Sequence, residues 1–175
     1  MTGLVKRMLQ KLSSPRKSIS EVNGLFLGTG HFMRVVEQPG GRPEFVSGIS
    51  NVATRFSLPT KYGNVGLIAH NFLSGKYFLE LQPGDFIYLM DGFGKRRRYH
   101  VSAIRRYQAL QPRSPRSNFI DLDTQEFCTA SDVFKRVYMG DHRVVLQTCI
   151  QKGNIEEWGR HFVIAEPAAD VPPPR

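Results

Sequence analysis

The sequence predicts a mainly β protein, a closed or nearly closed barrel of about seven to eight strands with one or two short helices. Short apolar runs recur along its middle, turn-forming Gly, Pro and Asp residues separate them, and only brief stretches show helical spacing. A length of 175 residues fits a single domain.

The elements follow in order. Leu25–Leu27 and His31–Val36 are apolar runs broken by Gly28 and Gly30, and Gln38-Pro39-Gly40-Gly41 is a turn. A β-compatible stretch runs from Phe45 to Val52, and Val65–Ala69 has the continuous apolar character of a buried strand. Phe72, Tyr77, Phe78 and Leu81 can share one side of a short helical turn. Pro83-Gly84-Asp85 leads into a strand over Phe86–Met90, and Asp91-Gly92-Phe93-Gly94 begins a hairpin. Tyr99, Val101 and Ala103 alternate with polar residues on its return. Arg113–Thr129 lacks periodicity and reads as a long loop near the working face. Ser131 caps a short helix over Asp132–Tyr138, and strands over Val144–Cys149 and His161–Ala165 complete the set. The barrel is expected over residues 21–166. A basic arm or short helix precedes it over 1–20, where Leu4, Met8 and Leu12 stand at helical spacing among Lys6, Arg7 and Lys11 and offer a contact to a membrane surface. A Pro-rich tail without fixed structure is expected over 167–175.

Composition excludes several classes. With 41% hydrophobic and 22% charged residues the chain is neither wholly disordered nor a coiled coil. No stretch reaches the roughly 18 apolar residues of a membrane span and no signal-peptide apolar region is present, so a soluble chain is expected. Twenty-four Lys and Arg against fifteen Asp and Glu give a net charge of +9, which favours anionic partners without fixing the fold. Cys128 and Cys149 are too few for a disulfide framework and leave one bridge, or one reactive thiol and one bystander.

Three residues stand where chemistry is commonly placed. Cys149 closes the apolar run Val144-Val145-Leu146-Gln147-Thr148, where a strand fixes the backbone while the last side chain reaches the surface. A thiol needs a basic or cationic neighbour to become an effective nucleophile at neutral pH. His70 emerges after Val65–Ala69 and supplies an imidazole able to take or give a proton. Arg160 begins the last strand; if that strand pairs with the one ending in Cys149, residues 151–159 connect them and the guanidinium lies beside the thiol.

Tyr62-Gly63-Asn64-Val65-Gly66-Leu67-Ile68-Ala69-His70, then Phe78 and Leu81, then Pro83-Gly84-Asp85-Phe86-Ile87-Tyr88, Tyr99-His100-Val101, Leu146-Gln147-Thr148-Cys149 and Arg160–Ala165 follow one another in an order that resembles the sortases, the cysteine transpeptidases of bacterial cell envelopes. The resemblance covers roughly Pro59 to Ala165, with Ala69 standing where the family usually has Gly. It implies a sortase-like barrel in which His70, Cys149 and Arg160 are the three active-site groups. It implies further that a peptide carrying a short sorting-type signal is cleaved through a Cys thioester and its acyl group passed to an amine or water, outside the cytoplasmic membrane, with no cofactor required. Asp121, Asp123 and Glu126 could hold calcium, as in some family members, although a solvated loop without an ion is the favoured reading.

Two other readings remain. One is a nucleic-acid-binding barrel in which Lys95-Arg96-Arg97-Arg98, Arg105-Arg106, Arg113 and Arg116 track phosphates while Tyr99 and Tyr107 stack bases; a solvated hairpin tip is preferred to it. The other is a catalytically inactive sortase-like domain used for binding.

Overall fold

The computed structural model describes residues 22–169, so the basic segment 1–20 and residues 170–175 of the expected tail lie outside the described residues. Alternation of buried and exposed side chains sets the first strands, β1 (Val22–Leu27) and β2 (Phe32–Glu37), which pair antiparallel. β3 (Val52–Phe56) lies parallel to β2, and β4 (Val65–Ile68) antiparallel to β3. β5 (Phe86–Asp91) and β6 (Arg96–Ala109) form the expected hairpin. β7 (Phe119–Asp121) and β8 (Phe127–Cys128) are short, and β9 (Val144–Lys152) and β10 (Ile155–Pro167) form a second long hairpin.

Eight strands close in the order β10-β9-β4-β3-β2-β1-β5-β6, with β6 pairing back onto β10. Closure removes the exposed edges that an open sheet would leave. β6 makes it possible because its 14 residues serve three partners: β5 near its start, β10 along its middle and β7 at its end. Two helical segments of the tighter 3-10 kind cover Pro59–Tyr62 and Ser74–Glu80, and one α-helix, α1, spans Ala130–Tyr138. Leu25, Leu27, Met33, Leu67, Ile87 and Leu146 fill the barrel. A second core, with Tyr107, Phe119, Cys128, Val137, Tyr138 and Phe162, lies between the barrel wall and α1. No helix among the described residues is long and apolar enough to cross a membrane.

Several expectations need correction. Residues 45–51 are not a strand: Asn51 adopts a left-handed φ of 56°, the Ser47 N–H donates to Thr54 Oγ1, and the strand begins only at Val52. The cap of α1 is Thr129, not Ser131. Thr129 Oγ1 accepts from the Asp132 N–H, and the Asp132 carboxylate accepts in return from the Thr129 N–H and hydroxyl, a reciprocal box that Ser131 is two residues too late to make. These bonds hold the Asp132 carboxyl below its usual range. The stretch 113–129 is not all loop, since it contains β7 and β8. The last strand is longer than expected at both ends. It starts at Ile155, so Gly153 and Asn154 suffice to connect it, and it continues through Pro167, with the Ala168 N–H donating to Arg98 O.

Candidate active site

Strand register assembles the site. β4 and β9 run parallel with Ile68 opposite Gln147, and the Ala69 N–H continues the ladder by donating to Gln147 O. One step on, the buried Thr148 hydroxyl donates to Ala69 O at 2.9 Å. His70 and Cys149 are the next residue on each chain. Across β9's other edge, β10 pairs antiparallel with Arg160 directly opposite Cys149. Since successive side chains alternate between the faces of a strand, Gln147, Cys149, Arg160 and Phe162 share one face. They line, together with His70, a cleft of about 500 Å3.

The peptide that carries His70 is held from behind. His70 O accepts from the Leu73 and Gly75 N–H groups, and the imidazole stacks on Phe72 with ring centroids 5.0 Å apart. Gly75 is fully packed: a Cβ there would overlap Thr148 Oγ1 and lie 2.5 Å from Ala69 O and 2.7 Å from His70 O. The absence of a side chain at Gly75 therefore lets the Ser74–Glu80 segment seat against both chain ends that deliver the histidine and the cysteine.

Arg160 is fixed by carbonyls. Its Nη1 donates to Glu157 O and Gly159 O, and its Nη2 to Pro112 O at 2.9 Å. A guanidinium has five N–H donors, so donors remain for a ligand in the cleft. Burial pushes the Cys149 thiol up; Arg160 pulls it back down and Glu157 adds to the upward shift. The rest of the cleft is largely apolar, walled by Phe56, Leu58, Phe119 and, from α1, Val133 and Phe134. At its base the Tyr138 hydroxyl donates to Gln147 Oε1 at 2.6 Å.

All three residues singled out from the sequence meet in this cleft, although Arg160 and Cys149 sit inside their strands rather than at the ends. Pro112, Arg113, Pro115 and Phe119 also line it, so the first part of the expected stretch 113–129 lies at the cleft. Thr148 faces away, only 1% exposed, and its hydroxyl is satisfied locally. Asn71 binds Glu156 O, and Trp158 lies under the Lys152 ammonium. Both cysteines are free thiols. Gly75, Pro112 and Glu157 gave no local signal, because their roles arise from contacts between distant strands.

The three carboxylates read as a candidate cation site have other partners in the fold. Asp121 Oδ1 accepts from the Asp123 and Thr124 N–H groups, Asp123 pairs with Arg106, and Glu126 faces Arg136. No group of three or more His, Cys, Asp or Glu among the described residues converges as a metal site. The base-stacking role read for Tyr99 and Tyr107 is also overturned. Both point inward, 2% and 0% exposed, because β6 turns these positions into the two cores.

No protein-family model matches this sequence and no curated protein matches it. Solved structures do resemble it. Sortase A of Listeria monocytogenes is 15% identical with a TM-score of 0.53, over 85% of this chain and 88% of that one. Sortase C1 of Streptococcus suis is 14% identical with a TM-score of 0.53, over 95% and 79%. A lid mutant of Streptococcus agalactiae sortase C1 is 13% identical with a TM-score of 0.52, over 87% and 70%. The closed eight-stranded barrel of this chain is a sortase-like fold.

Proposed function

We propose that the protein is a cysteine transpeptidase of sortase type. The observation that carries this reading is the registration of Arg160 opposite Cys149, with His70 delivered into the same cleft by the neighbouring parallel strand. Cys149 Sγ gives its proton to His70 and, as the thiolate, attacks a backbone carbonyl of a peptide lying in the apolar cleft. The free N–H donors of Arg160 bind the oxyanion that develops. The tetrahedral intermediate collapses as the C–N bond breaks, and the imidazolium of His70 protonates the departing amine, leaving a Cys149 thioester. A primary amine, or water, then attacks the thioester. His70 takes its proton, the C–S bond breaks, and the departing sulfur recovers a proton from His70, which regenerates the thiol. None of these steps calls for a metal or an organic cofactor.

A short peptide with an apolar residue ahead of the scissile bond suits the cleft walls, and the accepting group is a primary amine. The test is intact mass after incubation with a library of short amidated peptides. An acyl adduct on the wild type, absent from Cys149→Ala and discharged by an added primary amine, supports the reading. An alkylation-competent Cys149 that captures no acyl group from any peptide counts against it. The burial that raises the thiol is the observation favouring the rival reading, a sortase-like domain that binds peptide without cleaving it. Peptide binding unchanged in Cys149→Ala, with no adduct in the wild type, is the result that rival predicts.

A further inference from the structure

The barrel presents a second surface far from the cleft. On the outer side of β1, β2, β5 and β6, Phe26 and Phe32 are 41% and 51% exposed. With Tyr88, Met90 and Arg96 they line a shallow groove of about 420 Å3. Gly24 forms its floor, since the Phe32 ring and the Met90 methyl close over the place where a Cβ would stand. Cross-strand register adds Arg34 beside Gly24, Arg96 beside Met90 and Arg98 beside Tyr88. Arg98 also lies over the Phe86 ring, 4.6 Å from its centroid. Among these described side chains there are three guanidinium groups and no carboxylate. Monomeric proteins rarely leave such a patch uncovered without a partner for it.

The β5–β6 hairpin extends this face to a point. Phe93 at its tip is 95% exposed. It is held out by a structured turn rather than left to collapse: the Phe93 and Lys95 N–H groups donate to Asp91 Oδ1, the Gly94 N–H donates to Asp91 O, and Gly94 takes a left-handed φ of 78°. Lys95, Arg96, Arg97 and Arg98 follow immediately. The tip end of the hairpin is also where the first strand enters the barrel, because Val22 pairs with Asp91. Lys95 and Arg96 thus follow a single projecting aromatic, with Arg34 and Arg98 further along the same face.

We infer that this end docks on an anionic lipid bilayer, with Phe93 entering the headgroup region and the surrounding lysine and arginine side chains binding lipid phosphates. An apolar tip ringed by cations matches the two contributions that hold peripheral proteins to such surfaces, apolar burial and attraction to acidic headgroups. Nucleic acid fits less well, since Tyr99, the tyrosine next to this run, is buried and Phe93 is the one aromatic of the turn itself. The placement has a geometric consequence. Tyr107, the β6 partner of Arg160, lies eleven residues beyond Arg96 on the same strand. At ~3.3 Å per residue the strand holds this part of the cleft about 35 Å from Arg96.

This inference does not rest on the catalytic reading, and its readout is separate. The full chain is sedimented with vesicles of phosphatidylcholine alone, or of equal parts phosphatidylcholine and phosphatidylglycerol, at two salt concentrations. Wild type should bind only the anionic vesicles, and less at high salt. Phe93→Asp and the double variant Lys95→Glu/Arg96→Glu should each weaken binding at least about tenfold. All three positions are exposed, and thermal midpoints equal to wild type verify that the variants fold. Phe93→Trp in a Trp158→Phe background should show a blue-shifted emission on anionic vesicles and none on neutral ones. The inference is overturned if binding is absent, if it is equal on neutral vesicles, or if the hairpin variants bind as wild type does. A single-stranded oligonucleotide bound more tightly than the vesicles, with no dependence on Phe93, would assign the surface to nucleic acid instead.

Discussion

Cys128 lies in the core beneath α1, wholly buried, with Arg136 Nη1 3.2 Å from its sulfur. Cys149 lies half-buried on the wall of the cleft, with Arg160 in register across the strand pair. In both places burial pushes the thiol up and an arginine pulls it back. A neighbouring guanidinium is therefore not what sets one cysteine apart. Arg136 is also spoken for by Asp121 and Glu126, both of which oppose its effect on the sulfur. Arg160 is anchored through the carbonyls of Glu157, Gly159 and Pro112, and one carboxylate, that of Glu157, opposes its effect on the sulfur. The remaining differences are access from the cleft and a histidine delivered into that same cleft. A reactive cysteine here is a matter of architecture around the thiol, and that architecture can be taken apart.

The largest expected effect comes from Gly75→Ala. The new methyl meets Thr148 Oγ1 and two carbonyl oxygens, so the His70 segment must move off the strand. We expect a loss of about 2–3 kcal/mol, read as a fall in thermal midpoint. Alkylation of Cys149 should also slow toward the rate of Cys128, where an effect on stability alone would leave the native-state rate unchanged. Thr148→Val is smaller, roughly 1–2 kcal/mol, because it leaves Ala69 O without its buried donor while keeping the shape. Thr148→Ser should restore most of both stability and labelling rate. Cys128→Ala tests the other side. It opens a small gap beneath α1 and costs roughly 1 kcal/mol in a denaturant titration, with Cys149 labelling unchanged.

The pH predictions are smaller and separate the two arginines. Since Arg160 lowers the Cys149 pKa, Arg160→Gln should move the inflection of Cys149 alkylation upward in pH, while Arg136→Gln should leave it in place. His161 titrates elsewhere. It is buried, its Nε2 has no hydrogen-bond partner, and desolvation holds its pKa below the usual 6.5. Above about 6.5 the ring is neutral in both folded and unfolded chains, so stability does not depend on it. Below that the unfolded chain takes up the proton first, and stability falls until the folded pKa is passed. His161→Phe should flatten this acid limb in a series of thermal melts.

The barrel was legible because its strands are long enough to show a pattern. Val65–Ile68, Phe86–Asp91 and Val144–Cys149 are apolar and bounded by turns, and the Asp91–Gly94 turn marks its hairpin plainly. β7 and β8 were not legible, since strands of three and two residues carry no periodicity and exist only because β6 overruns the barrel to template them. The N-cap of α1 was misplaced by two residues: Ser131 and Thr129 are both good caps, and only the reach of Asp132 back to Thr129 decides between them. At the site, the order of His70, Cys149 and Arg160 was visible along the chain. Pro112 as the anchor of Arg160 was not, because a carbonyl 48 residues away leaves no trace in local composition.

The central claim is that the cleft makes Cys149, and not Cys128, a thiol under the control of His70. It is tested most directly by intact mass after a brief exposure to a thiol-alkylating reagent, comparing wild type with Cys149→Ala, Cys128→Ala and His70→Ala. One rapid adduct, lost in Cys149→Ala, kept in Cys128→Ala and slowed in His70→Ala, is the predicted result. Equal slow labelling of both cysteines, or a Cys149 rate indifferent to His70, would contradict the claim.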